Sequence, residues 1–216
     1  MQFHWLNKQN NKNLIVFFAG WSFDYKPFEF LQCDGCDVLF VYDYNEVSEL
    51  PDFSEYEHKF LIAWSMGVYI AYGMRDAFVN FDKKIAVNGI PYPVDDEFGI
   101  PQKPFILTLR HARVGLEGKF YQNIFNKTDE FEKYIQNSVE RDIENRVSEL
   151  QVLYNKIQNS PKVYENFYDK AYVSLYDKII PPKNQINFWQ TNNTEFQKLE
   201  SGHFPYYNYV DWKDLL

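Results

Sequence analysis

An α/β fold built on a mainly parallel central sheet is predicted by three features of this 216-residue sequence. Short apolar runs rich in β-branched and aromatic residues recur along it, and helical patterns fall between several of them. Most of the runs also lack polar alternation, as strands do when helices cover both faces of their sheet. The length suits one domain spanning residues 1–216.

Taken in order, the predicted strands are residues 14–18, 38–42, 60–63, 85–87, 105–109, 172–175 and 186–189. A helical pattern over 67–78 follows the third of them directly. The stretch from about 114 to 167 contains no convincing strand, and its charges and aromatics recur at helical spacing. Within it, 138–156 reads as one long amphipathic helix, with Val139, Ile143, Val147, Leu150 and Leu153 on one face. The segment is therefore expected to be a helical insertion, a lid, between two sheet strands. Pro91, Pro93, Pro101 and Pro104 punctuate a preceding loop, in which Asp95-Asp96-Glu97 is expected to form a solvated turn rather than a metal site.

Composition narrows the function. A formal charge of −8 argues against general nucleic-acid binding, which needs a basic surface to neutralise phosphates. No apolar run approaches the roughly 18 residues that span a bilayer. Residues 1–13 are polar and lack a signal-peptide core, so a cytoplasmic location is expected, with no membrane partner. Aromatic residues make up 19% of the chain, which fits either a ring-lined pocket or a core packed with Phe. Cys33 and Cys36 have redox-pair spacing, but no second Cys or His pair completes a zinc cage, and two incidental thiols beside an Asp34-Gly35 turn are expected.

The sharpest motif is Phe60-Leu61-Ile62-Ala63-Trp64-Ser65-Met66-Gly67-Val68. An apolar strand runs into a serine flanked by small residues, and a helix follows. That is the context of a nucleophile elbow, whose usual pattern is Gly-x-Ser-x-Gly and whose small residues let strand and helix approach. Ala63 replaces the first glycine. A serine hydroxyl needs a base to take its proton. Of the four histidines, His4 lies in the polar N-terminus, His58 is flanked by Glu57 and Lys59, and His111 sits at the mouth of the insertion. Only His203, in Ser201-Gly202-His203-Phe204-Pro205, fits the chain order of serine, acid and then histidine in the last loop of an α/β-hydrolase.

The acid should follow the strand before the last one. Asp177 lies just past the predicted 172–175 strand, at the sheet edge where ligands bind. Asp169 precedes that strand, and Glu200 fits the chain order poorly. The predicted triad is Ser65, Asp177 and His203. An oxyanion hole needs two backbone N–H groups, expected from Met66 after the nucleophile and from Trp21 in the loop after the 14–18 strand.

Phe17-Phe18-Ala19-Gly20-Trp21, Ala63-Trp64-Ser65-Met66-Gly67, Val87-Asn88-Gly89, Asp177-Lys178-Ile179-Ile180-Pro181-Pro182 and Gly202-His203-Phe204-Pro205 together make the sequence resemble the BioG family, over nearly the whole chain. The analogous BioH family carries a His-Gly-Trp oxyanion loop and Gly-Trp-Ser-x-Gly at the elbow; Ala19 and Ala63 stand at those positions here, which fits BioG better. The resemblance implies an α/β-hydrolase that cleaves the methyl ester of pimeloyl-[acyl-carrier protein] in biotin synthesis, without metal or organic cofactor. It also implies acyl carrier protein as partner. Trp21, Phe23, Trp64, Met66, Phe120, Tyr121 and Phe125 are candidates to line an apolar tunnel, with Trp21 and Met66 the expected substrate contacts. Arg110, Arg113, Lys119, Lys127, Lys133, Arg141 and Arg146 are candidates to meet an acidic carrier. A broad carboxylesterase or thioesterase and a non-catalytic hydrolase-like binding protein are the alternative readings.

Overall fold

A computed structural model describes residues 1–162 and 164–216; Val163, within the expected insertion, lies outside them. Among the described residues, seven strands form one sheet: β1 (Gln2–Asn7), β2 (Asn13–Phe18), β3 (Cys36–Tyr42), β4 (His58–Trp64), β5 (Lys83–Val87), β6 (Lys170–Ser174) and β7 (Glu195–Leu199). Their order is β1-β3-β2-β4-β5-β6-β7. Only β1 runs antiparallel, against β3. The other pairs are parallel, so the C-terminal ends of β2, β4, β6 and β7 share one edge. This is the arrangement of the α/β-hydrolase fold.

The helices are α1 (Met66–Gly73), α2 (Gln102–Arg110), α3 (Ala112–Glu117), α4 (Phe120–Ile124), α5 (Thr128–Gln136), α6 (Ile143–Asn159) and α7 (Pro182–Thr191). Helix α1 starts directly after Ser65 and ends at Gly73, with a short 3-10 turn over Arg75–Phe78 completing the stretch expected to be helical. Helices α2 to α6 all fall between β5 and β6. The long helix begins at Ile143, not at 138, because Asp142 caps it: its carboxylate accepts the N–H groups of Glu144 and Asn145 at 2.8 and 3.3 Å. Val139 therefore precedes the helix.

Two predicted strands are helices. Residues 105–109 lie in α2, where Phe105 is buried and Leu107 is 60% exposed. Pro104 sits in the first turn, where no intrahelical N–H is lost. Residues 186–189 lie in α7, which begins at Pro182 and buries Gln185, Phe188 and Trp189 at helical spacing. A short apolar run cannot be assigned to strand or helix by periodicity alone, and both runs follow prolines suited to helix starts. The last strand is instead β7, Glu-Phe-Gln-Lys-Leu. It lies at the sheet edge, with Phe196 and Leu199 half-buried and the other residues exposed. The opposite edge strand, β1, was equally hidden in the polar N-terminus. Edge strands carry polar residues, so a search for unbroken apolar runs passes over both.

The centre of the sheet is dry. Leu14, Ile15, Val16, Phe17 and Phe18 of β2 have no exposed surface. Full burial of each such side chain is worth about 1.5–3 kcal/mol. Phe17 packs on Phe28, Phe40 and Trp212 with ring centroids 5.1, 5.0 and 4.8 Å apart. A large part of the aromatic content is thus core. No helix among the described residues is long and apolar enough to cross a membrane.

Candidate active site

Strand β4 delivers Ser65 to the C-terminal edge of the sheet, and α1 leaves at once. The turn forces Ser65 to φ 56° and ψ −123°, a left-handed backbone that a non-glycine residue adopts only when its surroundings hold it. Its N–H donates to the Val87 carbonyl at 2.9 Å, and its carbonyl accepts the Val68 N–H at 3.1 Å. Two glycines make room. A Cβ on Gly67 would stand 2.3 Å from the Phe18 carbonyl oxygen, and one on Gly89 would stand 2.5 Å from the Ser65 carbonyl oxygen. Ala63, where the usual motif has glycine, is fully buried in β4 and tolerated.

Ser65, His203 and Asp177 form one hydrogen-bonded chain. His203 Nε2 lies 2.9 Å from Ser65 Oγ, and Nδ1 lies 2.8 Å from Asp177 Oδ2. An ionised carboxylate can only accept, so Nδ1 carries the proton and Nε2 is left to accept from the serine hydroxyl. All three residues are buried. Asp177 sits in the loop after β6, and its Oδ1 accepts the N–H groups of Ile179 and Ile180 at 2.8 and 2.9 Å. Its Oδ2 also accepts from Gln185 Nε2 at 3.0 Å. His203 follows β7. Its carbonyl accepts from Trp64 Nε1 and Asn88 Nδ2, both at 2.9 Å, which fixes the loop behind the imidazole.

The rival residues lie elsewhere. Asp169 accepts the Lys84 N–H at the opposite strand end, and Glu200 is exposed and bonded to the Tyr176 hydroxyl at 2.5 Å. His4 stacks on Tyr25, His58 is exposed beside Asp82, and exposed His111 bonds back to the Leu107 carbonyl. Asp95 accepts the N–H groups of Glu97 and Phe98, and Asp96 that of Gln102, as turn caps do. Cys33 and Cys36 are free thiols, and burial raises the pKa of both, the reverse of what a reactive thiol needs.

Ser65 and His203 open onto a cavity of about 190 Å³. Trp21, Phe23, Trp64, Met66 and Phe120 line it, whereas Tyr121 packs behind Phe23 and Phe125 lies a layer further out, on Phe204. Sequence reasoning missed Phe105, Leu150, Lys178 and Ile179, which also line it. Phe105 and Leu150 come from α2 and α6. Among the described residues, neither the Trp21 N–H nor the Met66 N–H has a protein acceptor. Gln185 and Asn88 were likewise not foreseen as supports. Asn88-Gly89 stands in a family motif, but the Asn88 contacts cross from the end of β5 to the end of β6 and the loop after β7.

The candidate basic residues divide. Arg141 is buried against Asp43 and Glu149 at 3.2 and 3.0 Å, and Arg146 donates to the Tyr121 hydroxyl at 2.7 Å. Arg113 pairs with Glu117 and Glu144, and Lys127 with Glu130. Lys133 lies 5.5 Å from the centre of the Tyr207 ring. Arg110 and Lys119 are exposed and outside the ion pairs formed among the described residues, as are Lys103 and Lys178.

Comparison with known proteins agrees with this architecture. The crystal structure of BioG from Haemophilus influenzae is 30% identical, with a TM-score of 0.90, covering 100% of this chain and 99% of that one. A malonyl-[acyl-carrier protein] O-methyltransferase of Bacteroides fragilis is 31% identical over 198 residues; the match takes in 89% of this chain, which spans only 40% of that relative's length. An esterase from Exiguobacterium antarcticum, 16% identical with a TM-score of 0.64 over 93% of this chain and 87% of that one, shares the fold. A family profile described as pimeloyl-ACP methyl esterase BioG matches residues 1–215. On that full-length match and the Haemophilus likeness, the chain belongs to the BioG family.

Proposed function

We propose that this chain is a serine carboxylesterase that hydrolyses the methyl ester of pimeloyl-[acyl-carrier protein] to methanol and the free carboxylate. The observation that carries the reading is the Ser65–His203–Asp177 hydrogen-bond chain at the wall of an apolar cavity. Ser65 Oγ attacks the ester carbonyl carbon while His203 Nε2 takes its proton. The oxyanion forms between the N–H groups of Trp21 and Met66. The imidazolium, oriented and stabilised by Asp177, returns the proton to the leaving methoxide, and methanol departs. Water then attacks the acyl-enzyme with His203 again as base, which releases Ser65 and the carboxylate.

The cavity bears on the substrate. At about 190 Å³ it is smaller than the roughly 300–1,000 Å³ of pockets that enclose drug-sized ligands. It suits one end of an acyl chain, and a carrier at the other end must stay outside. Lys178 at the cavity and Lys103, Arg110 and Lys119 around α2 to α4 are free to meet an acidic carrier. The Bacteroides fragilis relative adds support. Its name describes methyl transfer to a malonyl group on acyl carrier protein, and the larger part of it lies outside the match. A region that removes the methyl group at the end of the same sequence of reactions is a coherent companion to one that adds it.

Mass spectrometry of methyl pimeloyl-[acyl-carrier protein] incubated with the pure protein, beside a Ser65→Ala variant, tests the reading. Loss of one methyl group's mass with the wild type alone is the expected result. An intact ester, with small aryl esters still cleaved, leaves a broad carboxylesterase in its place. No cleavage of either ester, with no fluorophosphonate labelling of Ser65, leaves a binding protein.

A further inference from the structure

The loop that carries Trp21 is bonded less to the sheet than to α6 and the segment leading into it. Ser22 adopts φ 72°, a left-handed backbone without glycine. Its N–H donates to Glu149 Oε2 at 3.1 Å, and its Oγ accepts from the Tyr121 hydroxyl at 3.1 Å. Trp21 Nε1 donates to the Arg146 carbonyl at 2.7 Å. The Phe23 carbonyl accepts from Arg141 Nη1 at 3.1 Å, and Asp24 Oδ2 accepts the N–H groups of Glu140 and Arg141 at 2.8 and 3.1 Å. Glu149 is the centre of this arrangement. It has no exposed surface, and its other oxygen accepts the Tyr44 N–H at 2.8 Å, which ties the loops after β2 and β3 to one carboxylate.

Burying this carboxylate away from water is costly, and Arg141 Nη1 at 3.0 Å together with the Ser22 and Tyr44 N–H groups offsets that cost. The Ser22 N–H is the donor next to that of Trp21, and the two planar amides are linked only through φ and ψ of Trp21, so holding one narrows the directions open to the other. We infer that Glu149 is a positioning residue for the esterase reaction: by holding the Ser22 N–H it aims the Trp21 N–H at the oxyanion, so that α6 is a fixed part of the catalytic apparatus and not a movable cover. This inference rests on the esterase reading. It sets α6 apart from α2, which supplies Pro104, Phe105 and Thr108 to the cavity wall and shares none of these bonds to the loop, and from α4, which supplies Phe120 and Asn123 and reaches the loop through the Tyr121 hydroxyl.

The test compares the wild type with Glu149→Gln on a p-nitrophenyl ester, together with inhibition by phenylboronic acid, whose tetrahedral adduct on Ser65 uses the same N–H groups. Removing an oxyanion donor costs about 10²–10³ in kcat, and a misaimed donor should cost about 10². The expected result for Glu149→Gln is that fall in kcat with KM held within about 2-fold and boronate affinity weakened in step. The acid side of its kcat/KM profile should keep the wild-type position, because the Ser65–His203 pair is untouched. Wild-type kcat in Glu149→Gln overturns the inference, as does a change that falls on KM or moves the pH profile. If Glu149→Gln does not fold, Tyr121→Phe decides. Loss of its single bond to Ser22 should lower kcat about 3- to 10-fold at constant KM, and an unchanged kcat overturns the inference. A wild type that cleaves no ester overturns the esterase reading itself, an outcome distinct from all of these.

Discussion

Met66 and Trp21 line one cavity beside Ser65, and the backbone that carries each is held in a different way. Met66 follows a turn set by main-chain packing: Gly67 lies against the carbonyls of Phe18 and Ala19, Gly89 lies against Ser65, and Ser65 bonds to Val87. These contacts are made by backbone at the C-terminal ends of β2, β4 and β5 and at the start of α1. Trp21 sits in a loop held by residues about a hundred positions or more away, through the side chains of Glu149, Arg141 and Tyr121 and the main-chain carbonyl of Arg146. One support is steric and insensitive to charge. The other is polar and buried, and so depends on every member being present and correctly charged. The elbow belongs to the sheet, whereas the loop joins the sheet to the helices between β5 and β6.

The largest expected effect asks whether the elbow side reacts as its geometry suggests. Asp177→Asn replaces an acceptor-only group with one that can donate towards Nδ1 and so favours the wrong imidazole tautomer. A fall of about 10⁴-fold in kcat on an aryl ester is expected, with the fold intact by circular dichroism. Retention of more than a tenth of the activity would break the triad assignment.

The next effect measures how far the elbow depends on backbone contact. Gly67→Ala places a methyl group 2.3 Å from a carbonyl oxygen that belongs to the sheet and cannot move aside. The strain should cost about 1–3 kcal/mol or more, read as a drop in the urea midpoint and accompanied by lost activity. Gly73→Ala is the control: it lies at the end of the same helix and would meet nothing within 4 Å. That change should be neutral, or stabilising by up to about 1 kcal/mol. Equal destabilisation by both would show that close approach at Gly67 does not govern the turn.

The same division explains what could be read from the sequence. A turn that needs small residues leaves a local mark, so Ala63-Trp64-Ser65-Met66-Gly67 located the elbow, and the chain order of Ser65, Asp177 and His203 matched the residues that meet in space. The buried strands β2 to β6 were legible because their apolar runs are unbroken. The edge strands β1 and β7 were not, since half-exposed backbone tolerates polar residues and their pattern matches loop. Residues 186–189 belong to α7 and not to the last strand, yet the position of His203 still follows from its place in the chain, because either reading puts it in a loop near the C-terminus. Glu149 left no mark at all. It reads as one more acid on an amphipathic helix, and Arg141 reads as a surface cation; their partnership with Ser22 and Asp43 depends on tertiary contact that no spacing encodes.

The smallest effect sets the two kinds of support against each other through pH. Asp37 lies at the start of β3, on the sheet side. Burial pushes its pKa up, but hydrogen bonds from Gln9, Asn11 and Tyr56 outweigh that and hold it below the ordinary 3.8. The folded state therefore favours its ionised form. The stability it contributes is fully present above 3.8 and lost as pH falls through the depressed folded value. Glu149 is the reverse. Burial raises its pKa above the ordinary 4.5 in spite of Arg141, so the folded state binds the proton more tightly than the unfolded chain does. Its contribution is greatest below 4.5 and declines as pH rises through the raised folded value. Stability curves of the wild type, Asp37→Asn and Glu149→Gln, taken from pH 3 to 8 by urea denaturation, should thus diverge in opposite senses. The wild-type advantage over Asp37→Asn should grow with pH and level off above 3.8. Its advantage over Glu149→Gln should shrink with pH above 4.5, each change amounting to about 1.4 kcal/mol per pKa unit. Parallel curves would mean that the anchor of the Trp21 loop carries no more desolvation strain than a hydrogen-bonded aspartate of the sheet.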